Sequence, residues 1–310
     1  EPKFTGTASV DSHASCFIHR LEIFHGSNLL ESIDNYNVLY NMMLDAQVGG
    51  DQRNGHLSVS QGCAEGTGFA FDSSTYGSYN DFKAAANGKI LMEGGTIPLR
   101  GGMSLTTTKK YKFAIPLSLS GLLSPLCPKY LPLMAMGASD LRIQITLEDP
   151  MVAMVASATG GSYVIRDMTL NANFLEFPPD VGASIMASGL QAGNGSLRLS
   201  TESYRGYEVT MNINNDGGSF LIPARFSSLT TLYATLRRQT DAQGAVDTHS
   251  ISSRQNPEVE EYQFRVGSEL VPSAPVRGNA QSILELMKTF NSVSNIMHKS
   301  CITKGTYSSK

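Results

Sequence analysis

Three side chains of metal-binding type stand close together near the start of the chain: His13, Cys16 and His19, in the stretch HASCFIH. Their i, i+3, i+6 spacing would line one face of a helix and could hold zinc. The residues after them alternate as a strand, and on a strand His13 and His19 face one side while Cys16 faces the other. The metal reading therefore fails on geometry. The other histidines, His25, His56, His249 and His298, are isolated. Paired carboxylates occur at Glu148–Asp149 and Glu260–Glu261, but strand neighbours point to opposite faces, so neither pair alone could flank a glycosidic bond. The glycine pairs at 49–50, 94–95, 101–102, 160–161 and 217–218 do not open helices behind strands, which makes them turns and not phosphate cradles. Neither a nucleophile elbow nor a P-loop is present. No catalytic residue, cofactor-binding residue or metal ligand is assigned. The chain reads as a non-enzyme that needs no cofactor.

Composition narrows the function further. The 310 residues are 41% apolar but only 16% charged, against an average of about 25%. Such a chain either buries much surface against copies and partners or covers itself with Ser, Thr, Asn and Gly. A net charge of -3 gives no electrostatic case for wrapping nucleic acid, and no sequence-specific nucleic-acid binding is expected. The longest basic cluster, Lys109, Lys110 and Lys112, suits a guarded strand edge. Cys16, Cys63, Cys127 and Cys301 are too scattered for a disulfide scaffold or a zinc ribbon and are expected as free thiols. No run of 18 apolar residues crosses a membrane. The sequon Asn194-Gly195-Ser196 falls in a turn-like loop and has no secretory context to give it meaning. The opening EPKF lacks an initiator Met, so either the N-terminus is processed or the sequence omits it.

The elements that would carry these residues are mostly strands. CFIHRLEIF, GKILMEGGTIPL, KKYKFAIPLSL, DLRIQITLE, YVIRDMTLNANFLEF, YEVTMNIN, SSLTTLYATLRR and EEYQFRVGSELV are rich in β-branched, aromatic or alternating apolar residues. Between them, stretches such as EFPPDVG, QAGNGS and NNDGGS read as turns. Two helices interrupt the pattern. In LEIFHGSNLLESIDNYNVLYNMMLDAQ, a strand, a Gly-Ser turn and a second strand precede a helix with Tyr36, Leu39, Tyr40, Met43 and Leu44 on one stripe and Asp34 or Asn35 as its cap. Residues 279–297 form the second, with Ile283, Leu286, Met287, Phe290, Val293 and Met297 on one stripe and Asn279 as cap. Strand, strand, helix thus occurs twice, and a coarse duplication with a boundary at residues 154–162 is the economical reading. The fold expected is all-β, of sandwich or barrel kind.

From KKYKFAIPLSLSGLLSPLCPKYLPLMAMGASDLRIQITLED the chain resembles the double jelly-roll major capsid proteins of tailless icosahedral DNA viruses, the lineage of adenoviruses, membrane-containing phages, virophages and large DNA viruses. Ile115-Pro116-Leu117, Leu131-Pro132-Leu133 and alternating Leu141, Ile143 and Ile145 stand in that family's order. Leu21 to Phe24, Gly26-Ser27, Ile33-Asp34 and Tyr36 to Leu44 are similar to its early signature, and YVIRDMTLNANFLEFPPD to the strand opening its second unit.

The resemblance implies two consecutive eight-stranded jelly-roll sandwiches with a few short flanking helices, the first over residues 1–155 and the second over 156–310. The chain ends 13 residues past Met297, so either the C-terminal strands of the second unit are missing or that unit is reduced. It also implies a structural subunit of the virion capsid shell, assembled inside the infected host cell as a homotrimeric, pseudo-hexameric capsomer. Its partners would be neighbouring capsomers, penton and minor capsid proteins, and in some relatives an internal membrane beneath the shell. Loops 49–90 and 238–258 are expected to face outward. Tyr36 and Tyr40 are expected in the core, with a role as inter-subunit anchors the sharper alternative. The competing expectation is a non-viral β-sandwich module for adhesion or carbohydrate binding, against which the absence of Trp counts. A cupin-type enzyme would need a close H-x-H pair that the chain lacks.

Overall fold

The computed structural model describes residues 8–48, 56–62, 104–105, 112–124, 131–137, 139–156, 162–195, 199–211, 217–223, 226, 228–237, 250–252 and 259–289. Strand β1 (Ala8–Val10) leads through a 3-10 turn (Ala14–Phe17) into β2 (Ile18–His25). Leu21 and Ile23, two apart on β2, are both fully buried. That is the period of a half-buried strand. Gly26-Ser27 turns the chain into β3 (Asn28–Ile33), and Gly26 adopts φ 58°, a left-handed conformation that a side chain would strain. β3 pairs antiparallel with β2 from Leu21↔Ile33 to His25↔Asn28. On the other side of β2 lies β5 (Leu141–Leu147), also antiparallel, from Ile18↔Leu147 to His25↔Leu141. The sheet order is β3-β2-β5.

Helix α1 (Tyr36–Gln47) covers this sheet. Its stripe of Tyr36, Tyr40, Met43 and Leu44 joins Ile18, Leu21, Ile33 and Leu119 in one buried cluster, with Ile143 and Ile145 of β5 against it. Neither expected cap acts through its side chain. Asn35 holds the cap position at φ 51° without a side-chain bond to the helix, and Asp34 pairs with Arg20 on β2. A second cluster gathers Val10, Cys16, Phe17, Val38, Ala153, Met154 and Ile251 beneath a small sheet of order β4-β1-β6, where β4 is Ser104–Leu105 and β6 is Met154–Ala156. Short helices α2 (His56–Gln61) and α3 (Pro150–Ala153) precede β4 and β6 respectively. Asp149 caps α3 by accepting from the Met151 amide at 2.8 Å, with Pro150 at the first helical position.

Further along, α4 spans Pro179–Ala192, and a hairpin of β7 (Glu261–Val266) and β8 (Glu269–Arg277) runs into α5 (Gly278–Thr289). These elements correct several expectations. EEYQFRVGSELV is a hairpin turned at Gly267 and not one strand. Helix α4 occupies a stretch read as turns, because Pro179 at its start and the alanines and Met186 within it outweigh its two glycines. Helix α5 begins at Gly278, which puts Asn279 inside the first turn and not at the cap. Residues 14–17 form a 3-10 turn where a strand was expected, with the Cys16 amide donating to the His13 carbonyl at 3.0 Å. Residues 112–117, 163–177, 207–211 and 228–237 form no strand ladder.

The architecture among the described residues is therefore one of small antiparallel sheets, of three, three and two strands, together with a few helices. Two eight-stranded sandwiches are not formed by these residues. GKILMEGGTIPL, Lys109, Lys110, Cys63, Cys127, Cys301, His249, His298, Ser196 and the stripe positions Phe290, Val293 and Met297 lie outside them.

Leu21 packs between strand and helix, so Leu21→Ala should lower stability by about 2–5 kcal/mol. Val266→Ala, at a position 48% exposed, should stay within about 0.5 kcal/mol. Denaturant midpoints of the two variants check this.

Candidate functional site

Among the described residues, three carboxylates join segments far apart in the chain. Glu31 on β3 is buried, and its oxygens accept from the Ser120 hydroxyl at 2.6 Å, the Gly121 amide at 2.8 Å and the Leu122 amide at 3.5 Å. The same Ser120 oxygen accepts from the Leu123 amide at 3.0 Å, so one carboxylate and one hydroxyl close the turn at residues 120–123. Asp11 is fully buried. Its Oδ2 accepts from the Ile251 amide at 2.7 Å and its Oδ1 from the Ser252 hydroxyl at 2.6 Å. Glu148, at the end of β5, accepts through Oε2 from His19 Nδ1 at 2.8 Å and from Asn37 Nδ2 at 2.7 Å. Asn37 Nδ2 also reaches the Cys16 carbonyl at 3.3 Å, and the Tyr163 hydroxyl donates to the Glu148 carbonyl.

These arrangements hold segments together. The oxygens of Asp11 and Glu31 accept from backbone amides and hydroxyls inside the protein. The Cys16 thiol is pushed up by burial and by the Asp11 charge beside it, which disfavours the nucleophilic thiolate. Burial raises the Tyr36 and Tyr163 phenols in the same way.

The histidine-cysteine stretch is dispersed over different surroundings. His13 is buried with its ring edge-on to Tyr40, 5.0 Å between centroids, Cys16 is buried in the 3-10 turn, and His19 pairs with Glu148. Among the described residues no three His, Cys, Asp or Glu side chains gather as a cation would require. Glu260 and Glu261 also act locally: the Glu260 carbonyl accepts from the Gly278 amide and Glu261 pairs with Arg277 at 2.9 Å. Tyr36 and Tyr40 are stacked at 5.9 Å, and Tyr40 donates to Gln61 at 3.1 Å. Both rings are core, so they are not anchors between subunits. Residues 250–252 are buried against Asp11, which removes them from the loop 238–258 expected to face outward; most of that loop and of loop 49–90 lies outside the described residues.

The surface feature that sequence reasoning did not identify is an apolar run left in water. From Val164 to Phe177 the chain follows no ladder, and Met168, Leu170, Phe174 and Leu175 are 63%, 65%, 74% and 53% exposed. Tyr207, Val209, Met211, Phe220 and Leu221 continue the theme, and Val181 and Ile185 of α4 stand out from the surface beside them in sequence. The alternation in this run led to the expectation of a strand, which these residues do not form. No helix among the described residues is long and apolar enough to cross a membrane.

Removing the Asp11 carboxylate strands buried donors at residues 251 and 252, so Asp11→Ala should cost about 3 kcal/mol, with faster amide exchange at residues 250–252. The raised Tyr36 phenol, like that of Tyr163, contributes to the loss of stability at alkaline pH. Its proton is held more tightly folded than unfolded, so the contribution is intact below pH 10.0, the ordinary phenol value, and is lost as pH rises above it. Tyr36→Phe should shrink that alkaline loss in a pH series of denaturation midpoints. No known protein family, curated protein or solved structure matches the chain.

Proposed function

We propose that this chain is a structural subunit of an icosahedral viral shell, built on two jelly rolls and working as a homotrimeric, pseudo-hexameric capsomer. The observation that carries the reading is the exposed apolar run at residues 164–177. Apolar surface gains about 25 cal/mol per Å² when it leaves water, and so many large apolar side chains exposed along one stretch favour a surface that is covered in use. A tile that contacts copies of itself on all sides supplies such cover. The low charge of the chain suits dense lateral packing, and the buried carboxylates suit a protein whose work is to hold shape.

The ordered resemblance of residues 17–177 to capsid proteins points the same way. In that role the chain catalyses nothing and needs no cofactor, and its partners are neighbouring capsomers, penton and minor capsid proteins, with a membrane beneath the shell compatible with the role. It acts in the virion after assembly in the host cell.

Light scattering on the native protein should give a mass three times 33.4 kDa, and Phe174→Glu should shift the population toward the monomer. A monomer at every concentration would sink the reading.

A further inference from the structure

The hairpin β7–β8 with helix α5 repeats the hairpin β2–β3 with helix α1. Both hairpins turn on Gly-Ser, at Gly26-Ser27 and Gly267-Ser268, with the glycines at φ 58° and 63°. Each leads into a helix of 12 residues. In the first copy the outer edge of the leading strand is covered, because β5 pairs along β2. In the second, among the described residues, β7 pairs with β8 alone. A two-stranded hairpin is marginal in water, and its open edge is a template for another strand.

The sequence of β7 says which strand fits. Outward from Gln263 it reads aromatic then charged on both sides: Tyr262 and Glu261 one way, Phe264 and Arg265 the other. Set antiparallel against a second β7 with Gln263 on the axis, Glu261 faces the partner's Arg265 and Tyr262 faces the partner's Phe264. Each favourable pair occurs twice, and like charges are never opposite. Slipping the register by one residue loses these pairs. Glu261 already pairs with Arg277 across the hairpin and would then stand between two arginines in one row. Tyr262 and Phe264 already touch at 5.8 Å between centroids.

We propose that the edge of β7 left unpaired among the described residues docks β7 of a second copy about a twofold axis through Gln263, making a four-stranded sheet β8-β7-β7-β8. This goes beyond the trimer. A trimer closes on itself, whereas a self-complementary twofold contact joins one closed assembly to the next.

The test uses the full chain carrying Gln263→Cys, with Cys63, Cys127 and Cys301 changed to Ser. Residues directly opposite in an antiparallel pair lie about 4.5–5.5 Å apart between Cα atoms, within disulfide reach. Oxidation under native conditions should give a covalent dimer. Adding Glu261→Arg or Arg265→Glu alone should cut its yield roughly tenfold, and adding both should restore much of it, because the swap rebuilds both charge pairs across the twofold while losing the Glu261–Arg277 pair within the hairpin. A substitution that merely unfolds the hairpin would not be rescued this way. No covalent dimer, a dimer indifferent to these charges, or a double variant as poor as the singles would overturn the proposal. Reduced samples weighed by light scattering separate the two claims: trimer without cross-link sinks the twofold edge alone, and cross-link without trimer sinks the capsomer reading alone.

Discussion

Strand β2 is hydrogen-bonded along both edges, and most of the order around it depends on that double pairing. β3 comes from the adjacent stretch of chain, whereas β5 comes from more than a hundred residues away, so one strand joins local and distant sequence into a single surface. With both edges filled, the side chains of Leu21 and Ile23 have one place to go. Helix α1 meets that face with two stacked tyrosines and two long apolar residues. The tight turn at Gly26 sets the register, and a shift by one residue would move the apolar set into water.

The polar groups inside this frame determine where the loops go. Apolar contacts are tolerant of small displacements, but a buried carboxylate accepts only arrangements that satisfy its oxygens. Glu31 fixes the turn at residues 120–123, Glu148 links β2, α1 and the approach to α3, and Asp11 fixes residues 250–252. The chain carries little charge overall and places part of it where geometry is most constrained.

The parts of the fold legible in sequence are those where local chemistry and final packing agree. The run from Leu21 to Gln47 carries its own turn, alternation and helical stripe, and it folds as those signals say. Residues 141–147 alternate cleanly and become β5. Legibility fails where the local signal is shared between outcomes. Alternation at residues 163–177 is a strand signal, but a ladder needs a partner edge that alternation does not specify. The helix at Pro179–Ala192 was hidden by its glycines, and the 3-10 turn at residues 14–17 by the β-propensity of the adjoining residues 18–25. Asp11 and Glu31 gave no signal, because a carboxylate bound to a distant backbone looks in sequence like any solvated acid, and Glu148 stood out only as half of an acidic pair. The dispersal of His13, Cys16 and His19 follows from the break in conformation between turn and strand.

The bond from Ser252 to Asp11 joins residues 241 positions apart. Loop closure over that span carries an entropic cost. On the ribosome, the beginning of the chain must wait for residue 252 to emerge before its own buried carboxylate is satisfied. Until then Val10, Cys16 and Phe17 lack part of their cover from Ile251. The N-terminal region is thus completed by a segment synthesised long after it. A chain that stops before residue 250 lacks the Ile251 and Ser252 donors that Asp11 accepts from in the finished form.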